Sequence, residues 1–137
     1  MARVTTRWDS DMVLDSEVNG HHIIMDADEK FGGRDRGPRP KFVVLSALGG
    51  CTGMDVASLL KKMRVDVDGF DIRADAEVAE EHPRVFTKIH LTYTFRGKNL
   101  PVDKLQKAVD LSQERYCSVS AMLKEACDLT YEVKTEG

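Results

Sequence analysis

The stretch Arg39-Pro-Lys-Phe-Val-Val-Leu-Ser-Ala-Leu-Gly-Gly-Cys51-Thr-Gly-Met-Asp-Val-Ala-Ser-Leu-Leu-Lys-Lys-Met63 decides how this chain is read. Its spacing predicts one long helix with Cys51 at the middle. Pro40 suits the first helical turn, where its missing N–H leaves nothing unpaired. From Phe42 to Leu48 the segment is apolar on nearly every side, which predicts a helix buried all round. Further on, Val56, Leu59, Leu60 and Met63 share one stripe, while Asp55, Lys61 and Lys62 fall elsewhere and can face water. Gly49 and Gly50 stand directly before Cys51, and each glycine in a helix interior costs roughly 1 kcal/mol relative to alanine. Two explanations are open: close packing against another helix, or a hollow beside the sulfur through which a small molecule can approach.

Upstream, residues 2 to 9 place Val4, Thr6 and Trp8 on one side and Arg3, Thr5 and Arg7 on the other, the period of a half-buried strand. Met12 to Val18 and His22 to Met25 repeat it around Asn19-Gly20, a strong hairpin signal. The opening therefore reads as a three-strand meander, with His21 and His22 as exposed turn residues. Residues 26 to 40 carry Gly32, Gly33, Gly37 and Pro38 among Arg34, Arg36 and Arg39. That composition predicts a flexible basic loop, either simply solvated or a positive wall beside the thiol.

Downstream, residues 70 to 80 alternate Phe70, Ile72, Ala74, Ala76 and Val78 against polar neighbours. Residues 84 to 96 alternate Val85, Thr87, Ile89, Leu91, Tyr93 and Phe95 inward with Lys88, His90, Thr92 and Thr94 outward. Together these predict a long antiparallel hairpin with His90 on its polar face. Pro101 opens a second helix with Val102, Leu105 and Val109 on its apolar side, and Tyr116-Cys117-Ser118 interrupts or bends it. A short helix from Val119 to Cys127, with Ser118 available as cap, precedes a last strand at Leu129 to Val133. The order is β-β-β-α-β-β-α-α-β, an α+β class in which helices cover the sheet.

The chain has 137 residues, a length expected for a single domain spanning 1–137. A net charge of −3 gives no global attraction to nucleic acid or to an anionic membrane. The run Phe42 to Leu48 is far short of the roughly 20 residues a membrane span needs. Met1-Ala-Arg leads straight into alternating residues, so a cytoplasmic location is expected. The three cysteines, Cys51, Cys117 and Cys127, include no Cys-x-x-Cys pair and have no histidine at ligand spacing, so no metal site is expected.

In a reducing compartment such cysteines are core residues or reactive thiols. A cysteine attacks as thiolate, so a reactive one needs a nearby cation or a helix N-terminus. Cys51 lies mid-helix, where the dipole of its own helix helps little. Its activator is then expected to be a side chain, and Arg34, Arg36, Arg39 and Lys41 are nearest in sequence. Cys117 sits at the entrance to the last helix, where unpaired N–H groups favour negative charge. Glu114 either orients a neighbouring arginine or lies on the surface. If the two sulfurs meet, peroxide would oxidise Cys51 to a sulfenic acid and Cys117 would condense with it to a disulfide. That requires their Cα atoms within about 7 Å.

Pro40 followed by an apolar run into Ala47-Leu-Gly-Gly-Cys51, then the hairpin, then Arg115-Tyr-Cys117-Ser-Val-Ser-Ala-Met-Leu-Lys124 and Leu129-Thr-Tyr-Glu-Val133, resembles the OsmC/Ohr family, in particular its YhfA-like branch. The resemblance covers nearly the whole chain. It implies antiparallel sheets wrapped around a long central helix in an intertwined homodimer, with active sites at the interface. It also implies reduction of organic hydroperoxides as an oxidative-stress defence. In that chemistry Cys51 would be the peroxidatic and Cys117 the resolving cysteine, with no cofactor and with an external dithiol as reductant, a lipoylated or thioredoxin-like protein. One departure stands out. The peroxidase branches place a glutamate directly after the proline that opens the helix, where it holds an arginine over the thiolate, and here that residue is Lys41. The alternative is an OsmC-like domain that binds a small ligand and has little or no peroxidase activity.

Overall fold

The computed structural model describes residues Met1–Gly137, in which two compact units are distinguished, Met1–Ser46 and Ala47–Gly137. The first unit opens with strands β1 (Thr5–Ser10), β2 (Val13–Val18) and β3 (His21–Met25), paired antiparallel in that order. This is the expected meander. Asn19 and Gly20 both take positive φ, 52° and 79°, the left-handed pair that matches the twist of the flanking strands. His21 and His22 are exposed at the start of β3, and the His22 ring nitrogen Nδ1 lies 2.8 Å from Asp15 Oδ1 across the hairpin.

The segment after β3 differs from the flexible loop that its composition predicts. Asp26 is 1% exposed. Its carboxylate accepts hydrogen bonds from the N–H groups of Ala27 (2.8 Å), Arg34 (3.2 Å) and Arg36 (3.1 Å) and from Arg36 Nε (3.1 Å). A buried charge must be satisfied, and the chain winds around this one to do so. The glycines here serve close approach. A Cβ at Gly33 would lie 1.8 Å from the Ala27 carbonyl oxygen, and one at Gly37 would lie 2.2 Å from that of Ile24. A single 3-10 turn, Glu29–Phe31, completes the segment.

Helix α1 (Pro40–Lys62) starts at the expected proline and runs unbroken across the boundary between the units. Its burial differs from expectation. Only Leu48, Thr52, Val56 and Leu60 are buried, a single stripe at helical spacing, whereas Phe42, Val44 and Met54 stay exposed. By length and composition alone α1 suffices to cross a bilayer, a criterion that the core helix of a soluble protein also meets.

In the second unit β4 (Gly69–Val78) pairs antiparallel with β5 (Phe86–Arg96), the expected hairpin. Its inner face is Ile89, Leu91, Tyr93 and Phe95, all fully buried. Val85 and Thr87, expected to face inward as well, are exposed. They precede Lys88, where pairing with the third strand begins. That strand, β6 (Asp128–Glu136), lies parallel to β5, so this sheet is mixed and not wholly antiparallel as expected. The reason is the connection: α2 (Val102–Leu111), a π-helical turn (Ser112–Tyr116) and α3 (Ser118–Lys124) carry the chain back before it re-enters the sheet, as parallel neighbours require. On α2, Leu105, Ala108 and Val109 are buried and Val102, in its first turn, is exposed. The α+β class and the order of elements are those expected.

Candidate active site

Two local irregularities set the geometry of the cysteines. The π turn before Cys117 inserts backbone into the helical path, and such turns recur at functional sites. Cys117 then leaves the helical region (φ −75°, ψ 105°) and becomes the N-cap of α3, a place expected for Ser118. The Cys117 sulfur accepts the N–H of Ser120 at 3.4 Å. That cap holds a buried thiol, 3% exposed, against α1.

Cys51, on the middle of α1, is partly exposed and meets this junction. Its sulfur lies 3.9 Å from Ser118 Oγ, with the Val119 N–H and the Cys117 thiol near enough to favour its charged form. Both sulfurs are free thiols. Burial pushes the Cys51 pKa up, but the donors from Val119, Cys117 and Ser118 outweigh it, and the thiol titrates below its ordinary value. The Asp55 charge acts against them. Cys117 shifts the other way. Burial raises its pKa, the Ser120 groups lower it, and the neighbouring Cys51 raises it again. The pair is therefore asymmetric, with Cys51 favoured as thiolate and Cys117 keeping the proton it donates.

Stabilisation of the Cys51 anion thus comes from the start of another helix, a source that its mid-helix position does not reveal. The arginines nearest in sequence have carboxylate partners in their own unit. Arg36 pairs with Asp26 (3.1 Å) and Asp11 (3.3 Å), and Arg39 pairs with Asp35 and with Asp28 (3.6 Å). Arg34 lends its backbone N–H to Asp26, and Lys41 lies in the first turn of α1. Glu114 is exposed in the π turn and forms no ion pair, while Arg115 lies over the Tyr116 ring. His90 is tied on the outer sheet face to Thr130 (2.7 Å) and Glu132 (3.4 Å). Cys127 bonds the Leu123 carbonyl, and its pKa is raised by burial. A Cβ at Gly49 or Gly50 would meet nothing in this chain, so no helix of the same chain packs closely there.

Behind the sulfurs lies a buried polar cluster with no obvious mark in the sequence. Thr52 Oγ1 is 2.7 Å from both Tyr93 OH and Ser112 Oγ. Gln113 Nε2 donates to Tyr93 OH at 2.7 Å, and Ser112 Oγ donates to Asp55 Oδ2 at 2.9 Å. The one available signal was position: Thr52 follows Cys51, and Ser112 and Gln113 lie in the interruption before Cys117.

A family model described as OsmC-like protein matches residues 32–132. The chain is 42% identical over 122 residues to the Escherichia coli (strain K12) protein YhfA, covering 88% of each. Its fold matches a hypothetical protein from Aquifex aeolicus VF5 with a TM-score of 0.84 at 32% identity, covering 100% of this chain and 98% of the other. It also matches the Bacillus subtilis organic hydroperoxide resistance protein OhrB, with a TM-score of 0.64, 20% identity and 98% of each chain covered. A family match over most of the chain and a relative of this identity leave one conclusion: the chain belongs to the OsmC/Ohr family, in its YhfA-like branch.

Proposed function

We propose that the chain is a thiol-dependent peroxidase that reduces organic hydroperoxides in oxidative-stress defence, with Cys51 as the attacking and Cys117 as the resolving cysteine. The observation that carries this reading is the seating of the partly exposed Cys51 sulfur at the start of α3, 3.9 Å from Ser118 Oγ and beside the helix cap formed by Cys117, and the opposite directions of the two thiol pKa shifts agree with it. The Cys51 thiolate attacks the outer oxygen of the hydroperoxide. The O–O bond breaks, the sulfur becomes a sulfenic acid, and the alkoxide takes a proton and leaves as alcohol. Cys117 then attacks the sulfenic sulfur, water departs, and a disulfide forms. An external dithiol, lipoylated or thioredoxin-like, returns both thiols and is itself oxidised to a disulfide. With Lys41 in place of the glutamate of the peroxidase branches, activation rests on the Val119 N–H and the Cys117 and Ser118 side chains.

The working form proposed is a cytoplasmic homodimer. Support comes from the apolar residues that one chain leaves exposed on α1, Phe42, Val44 and Met54, and from the open space at Gly49 and Gly50. Stopped-flow mixing with an alkyl hydroperoxide tests the activity. Rapid loss of one thiol in wild type and none in Cys51→Ser is the expected result, and equal rates in the two would end the reading.

A second reading, ligand binding without turnover, is favoured by a separate feature. The first unit contains a cavity of about 420 Å³ whose apolar lining includes Met12, Leu14, Met25, Phe31, Pro40 and Phe42. That volume lies within the usual range for small-molecule sites. A thermal-shift series with apolar carboxylates and alcohols, run on Cys51→Ser/Cys117→Ser, should raise Tm if this reading holds, and a flat response counts against it.

A further inference from the structure

We propose that Thr52, Tyr93, Ser112 and Gln113 form a one-directional hydrogen-bond relay that locks the π turn against α1 and so sets the approach of the Cys117 sulfur to Cys51. Its functional value rests on the thiol-pair reading above, whereas its geometry is independent of that reading. All four residues are buried, with exposures of 0% for Thr52, Tyr93 and Ser112 and 3% for Gln113. Buried polar groups persist when they are mutually satisfied, and a satisfied network holds its members in one arrangement.

The direction of the relay follows from its acidic end. The Asp55 carboxylate can only accept, so Ser112 gives it its proton over 2.9 Å. Ser112 therefore accepts from Thr52 (2.7 Å), and Thr52, its proton committed, accepts from Tyr93 (2.7 Å). The Tyr93 oxygen is then left as an acceptor. Facing two acceptors, Tyr93 OH at 2.7 Å and Thr52 Oγ1 at 3.3 Å, the amide of Gln113 must present its nitrogen. This is the orientation found, and it leaves Gln113 Oε1 without a partner. A buried orphan oxygen is a cost that only the opposite end of the amide can justify here.

The relay joins the segments that carry the two sulfurs. Thr52 follows Cys51 on α1, and Ser112 and Gln113 belong to the π turn that leads into Cys117. Lys124 Nζ, in the last turn of α3, donates to the Gln113 carbonyl at 2.5 Å and ties the far end of that helix to the same turn. The four side chains touch neither the substrate nor, on this proposal, the reacting oxygen. They are positioning residues.

The test measures the effective concentration of Cys117 at Cys51. In glutathione buffers the protein disulfide plus two glutathiones exchange for the dithiol plus glutathione disulfide, and the equilibrium reports that concentration. Thr52→Val keeps the shape and removes the hydroxyl. It is expected to lower the effective concentration by about ten- to a hundredfold, since small displacements of reacting groups carry penalties of that order. Thr52→Ser should restore it to within about threefold of wild type, because the relay needs only the hydroxyl. Gln113→Glu should also lose it, since a second carboxylate turns one chain of donors toward two ends and one link must break. A folded Thr52→Val whose Tm falls but whose effective concentration matches wild type overturns the proposal. Should Thr52→Val fail to fold, Gln113→Met is read in the same way, with the same overturning result. A wild-type protein that closes this disulfide yet consumes no alkyl hydroperoxide would sink the peroxidase reading alone.

Discussion

The Asp26 carboxylate and the Cys51 thiol are both approached by backbone N–H groups, and they differ in what is left uncovered. Around Asp26 three N–H groups and a guanidinium saturate the carboxylate, and the group is buried. Burial pushes its pKa up, but the N–H groups of Arg36, Ala27 and Arg34 and the Arg36 side chain hold it far below the ordinary carboxylate range. Cys51 has one N–H, one thiol and a distant hydroxyl, and its sulfur remains partly exposed. Saturation produces a structural anion, and incomplete coverage leaves a sulfur with one side open to a reactant.

The comparison breaks first at Asp26. Asp26→Asn leaves N–H donors around a neutral amide and should lower Tm by about 5 °C or more. The sign with pH follows from linkage. A depressed carboxylate contributes stability that is present above its unfolded pKa of about 3.9 and is lost as pH falls through the folded value. Acid titration of unfolding should therefore show a slope below about pH 4 in wild type that Asp26→Asn lacks. An unchanged acid limb would show that the carboxylate is not charged in the fold.

At the sulfurs the largest effect is expected from Cys117→Ala, which removes both a donor and the resolving thiol. The midpoint of Cys51 alkylation against pH should rise toward the ordinary thiol value of about 8.5. Peroxide should then drive Cys51 on to the sulfinic acid, visible by mass as two added oxygens. Ser118→Ala removes only the hydroxyl at 3.9 Å, so its rise in midpoint should be smaller and no over-oxidation should follow. A Ser118→Ala shift larger than that of Cys117→Ala would reverse the ranking of the donors.

The smallest effect belongs to a pair open to water. The hydrogen bond and then the charge of Asp15 raise the pKa of exposed His22. A raised histidine contributes stability that is full below its unfolded pKa of about 6.5 and is lost as pH rises through the folded value. His22→Gln should flatten that slight slope, and NMR titration should find the wild-type ring above 6.5.

Short-range rules determined much of this molecule from sequence alone. Pro40 marks the start of α1, Asn19-Gly20 makes the first hairpin, and the alternation through Ile89, Leu91, Tyr93 and Phe95 marks the inner face of β5. These follow because helical and strand periods are local properties of neighbouring side chains. The resemblance to a family, carried by Cys51 and Cys117 in their motifs, named the two sulfurs as a pair. What only the tertiary structure decided lies beyond that range. The π turn and the cap at Cys117, the parallel seating of β6, and the burial of Asp26 among N–H groups depend on segments far apart in the chain. So does the choice of activator: Cys51 and the Ser118 hydroxyl are separated by 67 positions, and only the crossover through α2 and the π turn brings the start of α3 to the thiol. A local pattern specifies which face a residue takes, whereas the donor that meets that face is chosen by how the chain returns.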